Sequence, residues 1–376
     1  MRKIRVAYVS LYDARDVSNW SGLGYYIGRA LEAHVGSIEY IGNLKTNKPP
    51  FYAFKRMYYE QLEQKEYYWD RTTAAGRGFA RQVADQLHGR NFDVVISPGT
   101  IPVAYLETGI PVVIWADATF AAMLGYYFFD VCDQSVADGN KMEQAAIDNA
   151  SLAAYASEWA ANSAVKDYHA LSSKVRVIPF GANIERAPER VEIQKGLTKP
   201  LKLLFVGRDW ARKGGDIVLE TLVALEAAGI QCELVIVGCT PPNHIARPHV
   251  HVYPSLDKRV HIDFKKLQEL YMQAHFLLLP ARAECYGLVL CEANAFGIPV
   301  LGSDTGGIPT IVKNGVNGYL MDPKADGSAY CNKILSVIAT PSQYSELSRL
   351  SRDRYESQLN WDSAARNLRK ALEEVL

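Results

Sequence analysis

The 376-residue chain predicts an α/β protein of two domains in tandem, and three observations carry that expectation. At about 150 residues per domain, the length corresponds to roughly two and a half domains. Short apolar runs alternate with segments of helical periodicity, the pattern of parallel sheets covered on both faces. Between residues 180 and 200 this rhythm lapses into glycine, proline and charge (Gly181-Ala182-Asn183, Ala187-Pro188-Glu189-Arg190, Lys199-Pro200), which marks a linker.

The elements follow in order. Ile4, Val6, Ala7, Tyr8 and Val9 open a strand over 4–10, and further strands are expected at 38–41, 93–97, 112–116, 153–157 and 175–179. Met1, Arg2 and Lys3 make the start basic, but Asp13, Arg15 and Asp16 interrupt the apolar run too soon for a signal peptide. A helix is expected over 25–34. Beyond the linker come strands at 201–206, 232–237, 250–253, 276–279 and 299–303, with helices at 217–228 and 264–274 between them. The tail from 341 to 376 reads as helical, with Trp361, Leu368, Leu372 and Leu376 at helical spacing.

Composition excludes several classes. With 48% hydrophobic residues the chain can bury sizeable cores, so wholesale disorder is ruled out. Forty-one Lys and Arg balance forty-one Asp and Glu, unlike a nucleic-acid binder working through bulk charge. No apolar run approaches the about eighteen residues of a membrane span. Six cysteines without a C-x-x-C pair read as reduced core residues of a cytoplasmic protein, with no structural zinc.

In open α/β sheets ligands gather beyond the carboxyl ends of strands, and four post-strand loops stand out. After 201–206 comes Gly207-Arg208-Asp209-Trp210-Ala211-Arg212-Lys213-Gly214-Gly215, where backbone N–H groups, a helix start, Arg208 and Lys213 suit a diphosphate. A glycine turn with solvated basic residues would read the same, and no Walker motif is present. After 276–279, Glu284 and Glu292 lie eight residues apart around Tyr286-Gly287-Leu288. Glu292 sits among Leu290, Cys291, Ala293 and Ala295, so it needs partners: a ribose diol or a nearby basic side chain. Paired carboxylates also occur in glycosidases. After 299–303, Gly306-Gly307 precede a short helix, as an anion site or a plain turn. After the first strand, Ser21-Gly22-Leu23-Gly24 fails as a dinucleotide fingerprint because its glycines lie too far from the strand. It reads either as a loose loop over a phosphate or as a helix start with Ser21 as N-cap.

Together these residues resemble the nucleotide-sugar half of family 4 glycosyltransferases. The resemblance runs through Gly207-Arg208, Lys213-Gly214, Glu284 and Glu292, Ala293-Asn294-Ala295-Phe296-Gly297-Ile298-Pro299, Gly306-Gly307-Ile308-Pro309 and Asn314-Gly315-Val316-Asn317-Gly318. It covers about residues 200–322, with Ser21–Gly24 and Ser157-Glu158-Trp159 as weaker matches earlier. It implies two Rossmann-like domains facing across a cleft (GT-B): residues 1–180 on the acceptor side and 181–355 on the donor side. A final helix over 356–376 would pack back on the first domain.

By the same resemblance Arg208 and Lys213 bind the donor diphosphate, Glu292 the ribose, and Glu284 the hydroxyls of the transferred sugar. Gly207, Tyr286, Gly287 and Leu288 line the donor, Gly306 and Gly307 face the sugar or its phosphate, and Gly22 with Gly24 faces the diphosphate. Such enzymes are retaining, use no cofactor and need no metal, in keeping with the lack of an Asp-x-Asp motif here. Three departures stand out. Asp117 occupies the place of a usual histidine, Thr310 that of a usual glutamate, and Arg208 lies one residue closer to Lys213 than in many relatives.

The reading is a hexosyltransferase acting on a nucleotide sugar and a glycan, lipid-linked or small-molecule acceptor, with no nucleic acid as partner. A nucleotide-sugar 2-epimerase and a catalytically weakened sugar-nucleotide binder are the alternatives. Residues 45–90 hold nine Lys and Arg against five Asp and Glu, and they crowd Phe51, Tyr52, Phe54, Tyr58, Tyr59, Tyr67, Tyr68 and Trp69. That mixture suits sugar stacking, peripheral contact with the inner membrane face, or ordinary core packing.

Overall fold

In this computed structural model residues 3–45, 48, 51–193, 196–242 and 247–376 are described. Met1 and Arg2 of the basic start, residues 46, 47, 49 and 50 of the aromatic segment, and residues 194 and 195 of the linker lie outside them. The chain forms two compact units, one of residues 1–179 with 364–376, the other of residues 180–363.

The first unit is built on six parallel strands, β1 (Ile4–Val9), β2 (Gly36–Ile41), β3 (Val94–Ser97), β4 (Val112–Ala116), β5 (Leu152–Tyr155) and β6 (Val175–Val177), in the order β2-β1-β3-β4-β5-β6. Every residue of β3, β4 and β5 is buried, which explains their unbroken apolar runs. Residues 364–376 belong to this unit; within it Arg369 Nη1 donates to the Val35 carbonyl at 2.7 Å, at the end of the helix Leu23–His34.

The second unit has β7 (Leu201–Val206), β8 (Cys232–Val237), β9 (Val250–Tyr253), β10 (Phe276–Leu279), β11 (Val300–Ser303) and β12 (Gly318–Met321), in the order β12-β11-β10-β7-β8-β9. All its pairings are parallel. Leu203, Phe205, Leu234, Ile236, Leu278 and Leu301 fill its core. Both units are therefore Rossmann-like, and in the second the order reverses between β7 and β10.

Several elements differ from the sequence reading. The strand expected at 153–157 ends at Tyr155, because Ser157 leaves the sheet to cap the helix Glu158–Tyr168, its hydroxyl accepting from the Ala160 N–H at 3.2 Å. β12 was not expected: it is a short edge strand with Tyr319 and Leu320 only half-buried. The tail is two helices, Pro341–Ser357 and Trp361–Leu372. Asn360 separates them, donating to the Tyr355 carbonyl at 2.7 Å and accepting from the Ser363 N–H at 2.8 Å. Leu376 is exposed, so it does not continue the apolar face of Leu368 and Leu372. Ser21 is no N-cap: Trp20, Ser21 and Gly22 all take positive φ, and Gly22 opens the helix without a side-chain cap.

All six cysteines are free and buried. Burial pushes the Cys232 thiol up to about 11 and the Cys291 thiol up to about 12. Among the described residues no helix is long and apolar enough to cross a membrane.

Candidate functional site

The point where strand order reverses leaves a crevice beyond the strand ends, the default ligand place in such sheets. In the second unit that point lies between the loops following β7 and β10. Gly214, at φ +74°, brings the first loop against the second; a Cβ there would stand 2.0 Å from the Pro280 carbonyl oxygen, so no other residue fits. The Arg282 N–H donates to the Arg212 carbonyl at 2.7 Å, tying the loops together. Across them Lys213 Nζ meets Glu284 Oε2 at 2.7 Å, with both side chains close to nine-tenths buried. Arg212 Nη1 stands 3.6 Å from the same oxygen and donates to the Ala283 carbonyl at 2.9 Å. Two helices begin here, Gly215–Ala227 and Leu288–Ala295, and both starts add positive partial charge.

The loop after β11 lies on the same spot. The Gly307 N–H donates to the Glu284 carbonyl at 3.1 Å, and a Cβ on Gly307 would stand 2.1 Å from the Cys285 carbonyl oxygen. Lys213, Glu284, Gly207, Gly287 and the Gly306-Gly307 turn therefore meet around one set of strand ends. Leu288 is half-buried at the helix start.

Glu292 lies one helical turn further in, 3% exposed. Lys258 Nζ reaches its Oε1 at 2.8 Å, and the Tyr271 hydroxyl donates to its Oε2 at 2.8 Å. Lys258 also donates to the Asn183 carbonyl at 3.0 Å. Burial, and secondly the Glu292 carboxylate, holds the Tyr271 phenol well above its ordinary range. The basic-partner alternative for Glu292 is thus realised, although each carboxylate oxygen can still accept another donor. Arg208 is exposed; its charge adds to the stronger effect of Arg259 in lowering the Asp257 carboxyl to about 2, which places it beside the loop carrying Lys258. The Tyr286 side chain is turned inward, its hydroxyl donating to the Phe180 carbonyl at 2.8 Å, so only its backbone is left for a ligand.

Arg212, Lys258 and Tyr271 escaped the sequence reading. Lys258 comes from a loop 34 residues before Glu292 and carries no glycine signal. Arg212 stands inside the recognised loop, but nothing in its neighbours ranks it beside Lys213.

The remaining candidates belong to the first unit. Asp117 follows β4, half-buried; burial first and its carboxylate second push the Tyr12 phenol above its ordinary range, so the two are close. The Gly24 carbonyl accepts from the Tyr8 hydroxyl at 3.1 Å. Beyond the strand ends of this unit Glu143 is 1% exposed, accepts from the Thr100 hydroxyl at 2.7 Å, and has Arg71 Nη1 at 3.8 Å. Burial raises its carboxyl above the usual range, outweighing Arg71 and the hydrogen bonds.

Comparison with known proteins agrees with this architecture. Residues 188–354 match the family Glycosyl transferases group 1. The chain is 26% identical over 271 residues to the D-inositol 3-phosphate glycosyltransferase of Corynebacterium jeikeium (strain K411), covering 65% of this chain and 64% of that protein. It spans between about half and just under two thirds of the length of the curated relatives it matches. Among solved structures it resembles the sucrose-phosphate synthase of Thermosynechococcus elongatus (TM-score 0.68, 19% identity, 99% of each chain). It also resembles Anabaena HepE in complex with UDP-glucose (TM-score 0.64, 15% identity, 99% of this chain and 100% of that one). These likenesses show the fold, which is GT-B.

Proposed function

We propose that this chain, whose residues 188–354 match the glycosyl transferases group 1 family, is a retaining glycosyltransferase that moves a hexose from a nucleotide-diphosphate sugar to a hydroxyl acceptor without a metal ion. The observation that carries this reading is the Lys213–Glu284 pair, nearly buried where the strand order reverses and flanked by two helix starts. Breaking the sugar–phosphate bond leaves negative charge on the diphosphate, and Lys213, Arg208 and the helix starts are the positive groups that stabilise it. Glu284, released from Lys213 as the diphosphate takes the ammonium, accepts hydrogen bonds from the hydroxyls of the sugar. Glu292 accepts from the ribose diol, while Gly207, Tyr286, Gly287, Leu288, Gly306 and Gly307 contribute through their backbones. Asp117, Gly22 and Gly24 enter this reading only through the family resemblance.

The acceptor oxygen attacks the anomeric carbon on the face from which the diphosphate departs, and its proton passes to a leaving phosphate oxygen. The new glycosidic bond replaces the broken one with retained configuration, so no strong protein base is required. The named activity of the curated relatives makes D-inositol 3-phosphate the first acceptor to try, and the HepE complex makes UDP-glucose the first donor. The acceptor class otherwise covers glycans and lipid-linked sugars, with the enzyme working in the cytoplasm.

The test follows nucleoside diphosphate release over a panel of UDP-, GDP- and ADP-sugars, with and without acceptor and with a chelator. The proposal expects acceptor-dependent release that the chelator leaves unchanged. Failure of every nucleoside diphosphate to bind, or turnover of the donor to an isomer without acceptor, would overturn it.

A further inference from the structure

The short helix Ile308–Ile311, which follows the Gly306-Gly307 turn, cannot hold itself in place. A helix of four residues closes too few internal hydrogen bonds to persist alone, and its last carbonyls are left without N–H partners. Both of its ends are fixed from outside. At the front the Gly307 N–H donates to the Glu284 carbonyl at 3.1 Å. At the back stands Arg354, half-buried on the helix Pro341–Ser357. Its Nε donates to the Ile311 carbonyl at 2.8 Å and its Nη2 to the Thr310 carbonyl at 2.9 Å. The fully buried Asn317 donates from Nδ2 to the same Ile311 carbonyl at 3.0 Å and to Asn294 Oδ1 at 2.6 Å, on the helix that carries Glu292.

Arg354 is used unlike the other arginines of its helix. Arg349 meets Asp353 at 2.6 Å and Arg352 meets Glu356 at 2.7 Å, each a carboxylate four residues on. At that spacing Arg354 has Gln358, with Nη1 donating to its Oε1 at 3.0 Å. All three of these partners are neutral, so the guanidinium serves to aim two successive carbonyls rather than to form an ion pair. Nε and Nη2 lie on one rigid edge of the planar group, and two parallel donors fix both the place and the direction of the backbone they hold. A lysine ammonium, a point charge on a flexible stem, lacks that edge. We propose that Arg354 is a positioning residue for sugar transfer: its fork holds the end of the short helix and thereby sets the Gly306-Gly307 turn against the sugar or its phosphate. This role rests on the nucleotide-sugar reading above, in which that turn contributes its backbone to the donor.

The experiment compares the full chain with R354K, which keeps the charge and loses the fork, and with Q358A, which leaves the fork on both carbonyls. Hydrogen exchange is read over residues 305–313 and 288–295. Transfer is read with whichever of the UDP-, GDP- and ADP-sugars the parent turns over, and binding of the matching nucleoside monophosphate by calorimetry. In R354K the amides of Gly307, Thr310 and Val312, all hydrogen-bonded in the parent, are expected to exchange about tenfold faster or more, with 288–295 unchanged, because the opening is local. Its kcat should fall about tenfold or more, since a displaced contact at the reacting centre costs rate steeply. The monophosphate, which lacks the sugar–phosphate end, should keep its parent affinity. Q358A should match the parent throughout. Unchanged exchange over 305–313 in R354K would overturn the brace, and faster exchange with the parent kcat would overturn its role in transfer. Faster exchange throughout the second unit, monophosphate binding weakened in step with kcat, or a variant that does not fold would make Arg354 merely structural and overturn the proposal too. A parent that turns over none of the sugars would overturn the transfer reading and the positioning role with it, while the exchange measurement tells separately whether the fork holds the helix.

Discussion

Each unit buries glutamates beyond the carboxyl ends of its sheet, and the two units treat them differently. In the second, Glu284 and Glu292 each meet a lysine ammonium, at 2.7 and 2.8 Å. In the first, Glu143 accepts from a threonine hydroxyl, and the guanidinium facing it stands no nearer than 3.8 Å. Burial therefore favours a neutral carboxyl at Glu143, which no cation approaches to hydrogen-bond distance. A site that must hold charge in a dry place brings its counter-ion to hydrogen-bond distance; a carboxyl kept for packing does not.

The largest effect is expected of Lys258→Ala, which leaves the buried Glu292 with the Tyr271 hydroxyl but without its ammonium. It should cost about 3–5 kcal/mol in urea unfolding, and a cost near zero would mean that water replaces the ammonium. Lys213→Ala should act on chemistry, lowering turnover by about a hundredfold or more in steady-state donor consumption. Its effect on stability should be smaller than that of Lys258→Ala, because Arg212 remains 3.6 Å from Glu284. Near-normal turnover would remove Lys213 from the mechanism.

Glu143→Gln should change stability at neutral pH by no more than about 1 kcal/mol, and in the favourable direction. The sign follows from the raised carboxyl: above its folded-state value the buried charge costs stability, and as pH falls through that value the parent becomes neutral and the advantage of glutamine vanishes. A gain that grew toward acid pH would contradict the assignment. The smallest effect belongs to Asp216→Asn, which removes the half-exposed pair with Arg282 beside the same strand ends. Hydrogen bonds from Arg282 hold the Asp216 carboxyl below its usual range, so the contribution is present above the unfolded value and fades as pH falls through the folded one. It should amount to less than about 1 kcal/mol, a scale against which the two lysine pairs can be judged.

What the sequence made legible tracks burial on two faces. The strand expected at 201–206 is β7 and that at 276–279 is β10, because an unbroken apolar run of that length has few other fates. β12 escaped because an edge strand with half-buried Tyr319 and Leu320 looks like the turn that precedes it. The loops around Lys213 and Glu284 announced themselves through glycine. Lys258 did not, since its pairing with Glu292 arises only when the loop after β9 is laid across the helix Leu288–Ala295. The orientation of Tyr286 was hidden for the same reason, its partner being the Phe180 carbonyl 106 residues away. Around residue 55 the aromatic crowding was plain, but which rings face outward depends on Tyr67, Trp69 and Gln134 behind them.

The concealment of all six thiols makes this protein unusually convenient for spectroscopy. Buried sulfur is slow to react with maleimide reagents. A single cysteine placed on an exposed position of each unit would then take a fluorescent dye without prior removal of the native ones. Energy transfer between two such labels would follow any rearrangement that a donor analogue provokes, in the otherwise unaltered chain.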